Sequence, residues 1–171
     1  MIRNIRYILP AERLALRLLI DKEADRFEDD VSSYSSRSLF WLKGQPHLST
    51  QNLRWHESPE QAKPAIELET MLDSLMGFKA TYLIARGNTG IKPHRDSTYA
   101  AESTTTLHLG KPFEFLYASQ RQGSIDTIAH PKDGAIFDSC SKHLHGSNRD
   151  DPDGYAIFGW TLSPRFIAAT A

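Results

Sequence analysis

His94 and Asp96 stand two residues apart in Ile91-Lys92-Pro93-His94-Arg95-Asp96, and a second close pair, His143 and His145, follows in Lys142-His143-Leu144-His145-Gly146-Ser147-Asn148. On extended backbone, side chains two apart share a face, so His94 and Asp96 could bind one metal ion together. Two imidazoles and one carboxylate suit a non-haem Fe(II) centre. They hold one face of the ion and leave the other open for O₂ and a co-substrate. An isolated His-x-Asp is common by chance; the order around it carries more weight. A glycine-containing turn precedes the pair, strand-like runs follow, and a glycine-started strand leads into the later histidines. His143 and His145 would share a face on an extended segment, so either could supply the third ligand.

The chain has 171 residues, 40% hydrophobic and 24% charged, which fits one globular domain over 1–171 with a real core. A formal net charge of -1 provides no global basic field, so tight non-specific binding to nucleic acid is not expected. Cys140 is the single cysteine, which excludes an internal disulfide framework and a cysteine-rich zinc site. No apolar run approaches the ~20 residues that span a bilayer, so a membrane partner is not expected. The opening Met1-Ile2-Arg3-Asn4-Ile5-Arg6 lacks the apolar core of a secretory signal. A cytoplasmic location is the expectation.

The elements that must position these residues fall into two parts: a helical N-terminal support over 10–77 and a strand-rich part over 79–162. A helix is expected from Pro10 to Phe27, with Pro10 in the first turn and Leu14, Leu18 and Ile20 as its apolar stripe. The polar stretch from Asp29 to Arg37 reads as an exposed connection, Ser38 to Leu42 as a short strand, and His47 to Glu57 as a loop without clear period. Ser58-Pro59-Glu60-Gln61 has capping-box spacing before a second helix. Its stripe is Leu68, Met71, Leu72 and Leu75, and Gly77 stops it. Strands are expected at Ala80–Ala85, Thr104–Leu109, Phe113–Tyr117, Ser124–Ile128, Ala135–Phe137 and Tyr155–Leu162. Many short strands with turns between them imply a β-sandwich or barrel, with the two helices covering one outer face.

Gly90-Ile91-Lys92-Pro93-His94-Arg95-Asp96, Leu107-His108-Leu109-Gly110 and Gly134-Ala135-Ile136-Phe137-Asp138, with the histidines that follow, resemble the Fe(II)/2-oxoglutarate-dependent oxygenases. The branch they look like is that of the aspartyl/asparaginyl β-hydroxylases and the free-proline hydroxylases. The resemblance covers Tyr82 to Leu162. It implies a mainly β fold with flanking helices, around a double-stranded β-helix (jelly-roll, cupin-like) core. It also implies a dioxygenase that couples oxidative decarboxylation of 2-oxoglutarate to hydroxylation, with His94, Asp96 and His145 as the iron ligands. The family's motif spacing favours His145, with His143 as the alternative. An Asp ligand argues for hydroxylation, since family halogenases leave that position empty for chloride.

The family places a basic residue on a late strand to pair with the distal carboxylate of 2-oxoglutarate. Ten residues after His145, this chain has Tyr155 instead. The co-substrate pocket is therefore expected to combine Tyr155, His108 and Thr106. Its charge would come from a protonated His108 or from an arginine elsewhere, Arg149 and Arg165 being candidates, with Lys92 near the first ligands. Two functions follow. One is a hydroxylase acting on an amino acid, peptide or other small substrate. The other is a metal-binding, cupin-like jelly roll that does not use 2-oxoglutarate.

Overall fold

The computed structural model describes residues 4–31, 36–48, 53–57, 63–87, 90–95, 100–118, 125–130, 132–138 and 144–162. Pro10 opens the first helix, α1 (Pro10–Asp21), as its position predicts, and a short 3-10 turn at Ala24–Arg26 follows. The face this helix buries is the expected one only at Ile20. Leu14 and Leu18 are 59% and 55% exposed, whereas Leu16 and Ile20 are fully buried. The reason lies in two arginines that share the buried face at helical spacing. Arg13 pairs with Asp133 at 2.7 Å, and Arg17 donates to the carbonyls of Leu109 and Asp153 at 2.7 and 3.0 Å. Anchoring both to the sheet rim turns Leu16 and Ile20 inward and leaves Leu14 and Leu18 outside.

The second helix, α2 (Lys63–Met76), buries Leu68, Leu72 and Leu75 as its stripe predicts. Gly77, at φ +77°, ends it in the left-handed conformation that glycine adopts without steric cost. Ser58 to Gln61, the expected cap, lie outside the described residues. Asp73 ties the end of α2 to the sheet: its carboxylate accepts from the Ala80 amide at 3.2 Å and from the Tyr82 hydroxyl at 2.7 Å.

Strands β6 (Thr81–Arg86), β8 (Ala100–Leu109), β11 (Gly134–Asp138) and β13 (Tyr155–Leu162) form the centre of a large antiparallel sheet. β1 (Asn4–Tyr7) flanks it on one side, and β3 (Ser36–Trp41) and β2 (Glu28–Val31) on the other, in the order β1-β11-β8-β13-β6-β3-β2. A smaller sheet holds β7 (Ile91–His94), β9 (Phe113–Ala118), β10 (Asp126–His130) and β12 (Leu144–Ser147), in the order β10-β9-β12-β7. This is the jelly roll the motifs imply. The N-terminal part is more than helical support, because it contributes β1, β2 and β3 to the large sheet. Asp29–Arg37, expected as an exposed connection, supplies residues to β2 and β3, paired from Glu28↔Leu39 to Val31↔Ser36. Charged residues are at home there because β2 is an edge strand. The aperiodic stretch near His47–Glu57 contains a hairpin, β4 (Gly44–Leu48) with β5 (Leu53–Glu57), in a two-stranded sheet of its own.

Alternation along the large sheet separates two environments. Tyr82, Ile84, Leu107, Leu109 and Ile157 pack with Leu16, Ile20, Leu68 and Leu72 under the helices. The opposite face carries Thr104, Thr106 and His108 on β8, directly across from Trp160, Phe158 and Ala156 on β13. That second face looks into the jelly roll. Neither helix is long and apolar enough to cross a membrane.

Candidate functional site

β7 and β12 pair antiparallel with His94 directly opposite His145, their ring centroids 4.5 Å apart and their planes inclined by 51°. The two histidines therefore converge from separate strands, and His145 is 5% exposed. Gly146 makes the approach possible. A Cβ there would fall 2.7 Å from the Ile91 carbonyl oxygen and 2.9 Å from the Pro93 nitrogen, too near for any side chain. The small residue after His145 makes room for the β7 backbone. Pro93 is tolerated because β7 is an edge strand. The register shifts between His145 and Ser147, an irregularity of the kind that re-aims side chains beside active sites.

His94 Nδ1 lies 2.9 Å from the Lys92 carbonyl. Since a carbonyl only accepts, this contact fits a proton on Nδ1, which leaves the Nε2 lone pair available to a metal. Asp96 and His143 lie outside the described residues. Among the described residues no set of three His, Cys, Asp or Glu side chains converges.

His145 lines a small, mostly apolar pocket between the sheets. Phe113, Phe115 and Gly146 come from the smaller sheet, and Thr106, Ala156 and Phe158 from the large one. Thr106 is thus where the sequence places it. Arg149 also lines this pocket, 4% exposed, and its Nη1 has no hydrogen-bond partner among the described residues. Burial lowers its guanidinium to about 10, the nearby Arg37 charge adds to that, and Asp151 opposes it. Asp151 is itself 4% exposed, and its Oδ2 accepts from the Lys111 amide at 2.7 Å.

Two expectations for the co-substrate pocket fail. Tyr155 pairs across the sheet with Leu109 and Arg86, on the helix face. Its hydroxyl donates to Asp21 at 2.7 Å, and its ring packs against Phe27. Burial and that bond raise its phenol to about 12. Strand parity decides this: the first β13 residue facing the pocket is Ala156. His108 does lie on the inner face, but its burial there disfavours the positive charge expected of it. It is fully buried, edge-on to Phe113 at 4.7 Å and 5.8 Å from His130. Burial lowers its pKa to about 3, helped by the Arg149, His130 and Arg17 charges, so its ring is neutral. Arg165 lies outside the described residues, and Lys92 is exposed. Sequence reading passed over Arg37. Its signal was the alternation of Arg37, Leu39 and Trp41 along β3, hidden by the polar residues before it.

No family model and no curated protein sequence matches the chain. Solved structures do. A prolyl-4-hydroxylase from Pseudomonas putida is 11% identical with a TM-score of 0.61, over 93% of this chain and 91% of that one. The prolyl hydroxylase of Trichoplax adhaerens, in complex with a hypoxia inducible factor oxygen degradation domain peptide fragment, is 14% identical with a TM-score of 0.65, over 100% of this chain and 86% of that one. An oxidoreductase of the 2OG-Fe(II) oxygenase family from Burkholderia pseudomallei is 15% identical with a TM-score of 0.55, over 84% and 77% of the two chains. The fold is that of the Fe(II)/2-oxoglutarate-dependent oxygenases.

Proposed function

We propose that this protein is a non-haem Fe(II)- and 2-oxoglutarate-dependent dioxygenase that hydroxylates an amino acid, peptide or other small substrate. The observation that carries this reading is the His94–His145 pair beside a pocket that also contains a buried arginine, one of whose nitrogens has no hydrogen-bond partner among the described residues. The imidazoles, with Asp96 as third ligand, are the donors such a centre takes, and the Lys92 carbonyl favours the His94 tautomer that ligates through Nε2. Iron bound there would couple O₂ reduction and decarboxylation of 2-oxoglutarate to insertion of oxygen into a substrate C–H bond.

The protein's own residues do the rest. A dicarboxylate buried between Phe113, Phe115 and Phe158 needs a cation, because an unpaired buried charge costs several kcal/mol. Arg149 provides it, from the turn after β12 rather than from β13. This removes the feature that favoured a jelly roll without 2-oxoglutarate, the tyrosine at the family's arginine position. The apolar walls exclude water from the pocket.

The test is conversion of 2-oxoglutarate to succinate by iron-loaded protein without added prime substrate. Slow, iron-dependent succinate formation, lost in His94→Ala with the fold intact, is expected. No succinate from the loaded wild type would leave a metal-binding jelly roll as the better description.

A further inference from the structure

An aromatic cluster lies on the inner face of the large sheet, next to the pocket that His145 lines. Trp41 on β3, Leu83 on β6 and Phe158 on β13 stand in register across three strands, and Trp160 follows Phe158 two residues on. Leu83 and Trp160 are 8% and 5% exposed, while Leu39, Trp41 and Phe158 pack against them and are only partly buried. Trp41 meets Trp160 edge to face, with ring centroids 5.7 Å apart and planes at 89°. All five residues belong to the large sheet. Phe115 of the smaller sheet gathers Phe113, Tyr117 and Ile128 into a separate cluster, so among the described residues the smaller sheet adds nothing to the first one. The other face of the large sheet differs: there Leu16, Ile20, Leu68 and Leu72 of the helices cover it.

Phe158 belongs both to this cluster and to the His145 pocket, so the apolar surface runs on from one to the other. Two residues of strand advance the chain about 6–7 Å, which sets Trp160 that far beyond Phe158. Thr81 lies directly opposite Trp160. It is 4% exposed, and its hydroxyl has no hydrogen-bond partner among the described residues. A buried hydroxyl left unpaired is costly, and the polar edge of a ligand can pair it. Arg37 borders the cluster, 5.7 Å from the centre of the Phe158 ring, but Asp30 stands 3.9 Å from its Nε and offsets that charge. Nothing in this arrangement calls for a charged ligand. Aromatic rings favour edge-to-face and offset-stacked contacts, and two indoles at right angles offer a planar ring both kinds at once. We propose that Trp41, Trp160, Phe158 and Thr81 seat a ring of the prime substrate: an uncharged, planar aromatic ring with a hydroxyl or N–H at its edge. That the ring belongs to a hydroxylation substrate rests on the oxygenase reading above; the seat itself needs no metal.

The probe is 4-methylphenol, added to the metal-free full chain and followed by calorimetry. The counter-probes are toluene, which has the ring without the hydroxyl, and 4-methylcyclohexanol, which has the hydroxyl without a planar ring. Saturable binding of 4-methylphenol is expected, roughly fivefold tighter than either counter-probe. Trp41→Leu should weaken it roughly fivefold or more. Thr81→Val keeps the shape and removes the hydroxyl, so it should lower 4-methylphenol affinity to that of toluene and leave toluene binding unchanged. A merely structural threonine would not separate the two probes. If Trp41→Leu fails to fold by circular dichroism, Trp41→Phe, smaller but still aromatic, should show part of the loss. The seat is overturned if wild type does not bind 4-methylphenol, if either counter-probe binds as tightly, or if Thr81→Val binds 4-methylphenol as wild type does. Succinate formation by iron-loaded protein that binds no probe would overturn the seat alone. Probe binding by a protein that makes no succinate when iron-loaded would support the seat and overturn the oxygenase reading alone.

Discussion

His94 and His145 face each other across the β7–β12 pair, with ring centroids 4.5 Å apart, and a glycine beside His145 sets that separation. Replacing Gly146 by Ala would put a Cβ 2.7 Å from the Ile91 carbonyl. That neighbour is backbone, so β7 must move away. The expected outcome is a loss of metal affinity on the order of 10–100-fold, as for other changes that disturb ligand orientation. Titration with Co(II), followed by its visible absorption, measures this. Unchanged affinity in Gly146→Ala would mean that the histidines tolerate a wider strand separation.

Tyr155 lies on the helix face, whereas Arg149, one of the arginines the sequence offered for the co-substrate charge, lines the pocket. Tyr155→Phe should leave 2-oxoglutarate affinity at the wild-type level, because the hydroxyl bonds to Asp21 on the helix face. It should cost no more than about 1 kcal/mol of stability, the usual contribution of one partly solvated hydrogen bond. Paired calorimetric and urea-unfolding measurements separate the two effects. A large loss of affinity in Tyr155→Phe would place the phenol in the pocket and contradict the register of β13.

The parts of this protein most legible in the sequence were those with strong local signals. Tyr155–Leu162, rich in aromatic and aliphatic residues, is β13 from end to end, and Gly77 stops α2. The face of α1 was legible only at Ile20, because its inward arginines bond to rim carbonyls and carboxylates far away in sequence. The strands β2 and β3 were hidden because edge strands tolerate Asp and Ser. Motif order singled out His94 and His145, which face each other across β7 and β12, and Thr106, which lines the same pocket as His145. It could not place Tyr155, because one residue of strand parity moves a side chain to the other face of the sheet. Nor could it show that Arg149, in a run of turn-forming residues, folds inward.

Asp151 secures the turn that carries Arg149. Its Oδ2 accepts from Lys111, and Gly110 and Gly154 both crowd its carboxylate so closely that a Cβ on either would force the Asp151 side chain to move. Asp151→Ala removes a buried acceptor, strands the Lys111 amide and leaves a void between the two glycines. Destabilisation of roughly 2–4 kcal/mol is expected, as for breaking a buried charged hydrogen bond. Chemical denaturation at neutral pH measures it. A change below about 0.5 kcal/mol would show that water replaces the carboxylate at the Lys111 amide.

His108 has both ring nitrogens buried without a hydrogen-bond partner among the described residues, and a pKa lowered from 6.5 to about 3, chiefly by burial. Between those values the unfolded chain binds a proton there that the folded chain does not. Stability should therefore rise with pH through that window, with the contribution complete above 6.5 and lost progressively as pH falls toward about 3. His108→Leu has no such proton to take up. At neutral pH the variant should be as stable as wild type or more so, because the orphaned nitrogens are gone. Between about pH 7.5 and about pH 4.5, wild type should lose about 2–3 kcal/mol more than the variant, one pKa unit being worth about 1.4 kcal/mol. Urea unfolding at the two pH values gives the comparison directly. Parallel acid losses in the two proteins would mean that His108 is protonated in the folded state, and would restore it as a possible partner for a carboxylate.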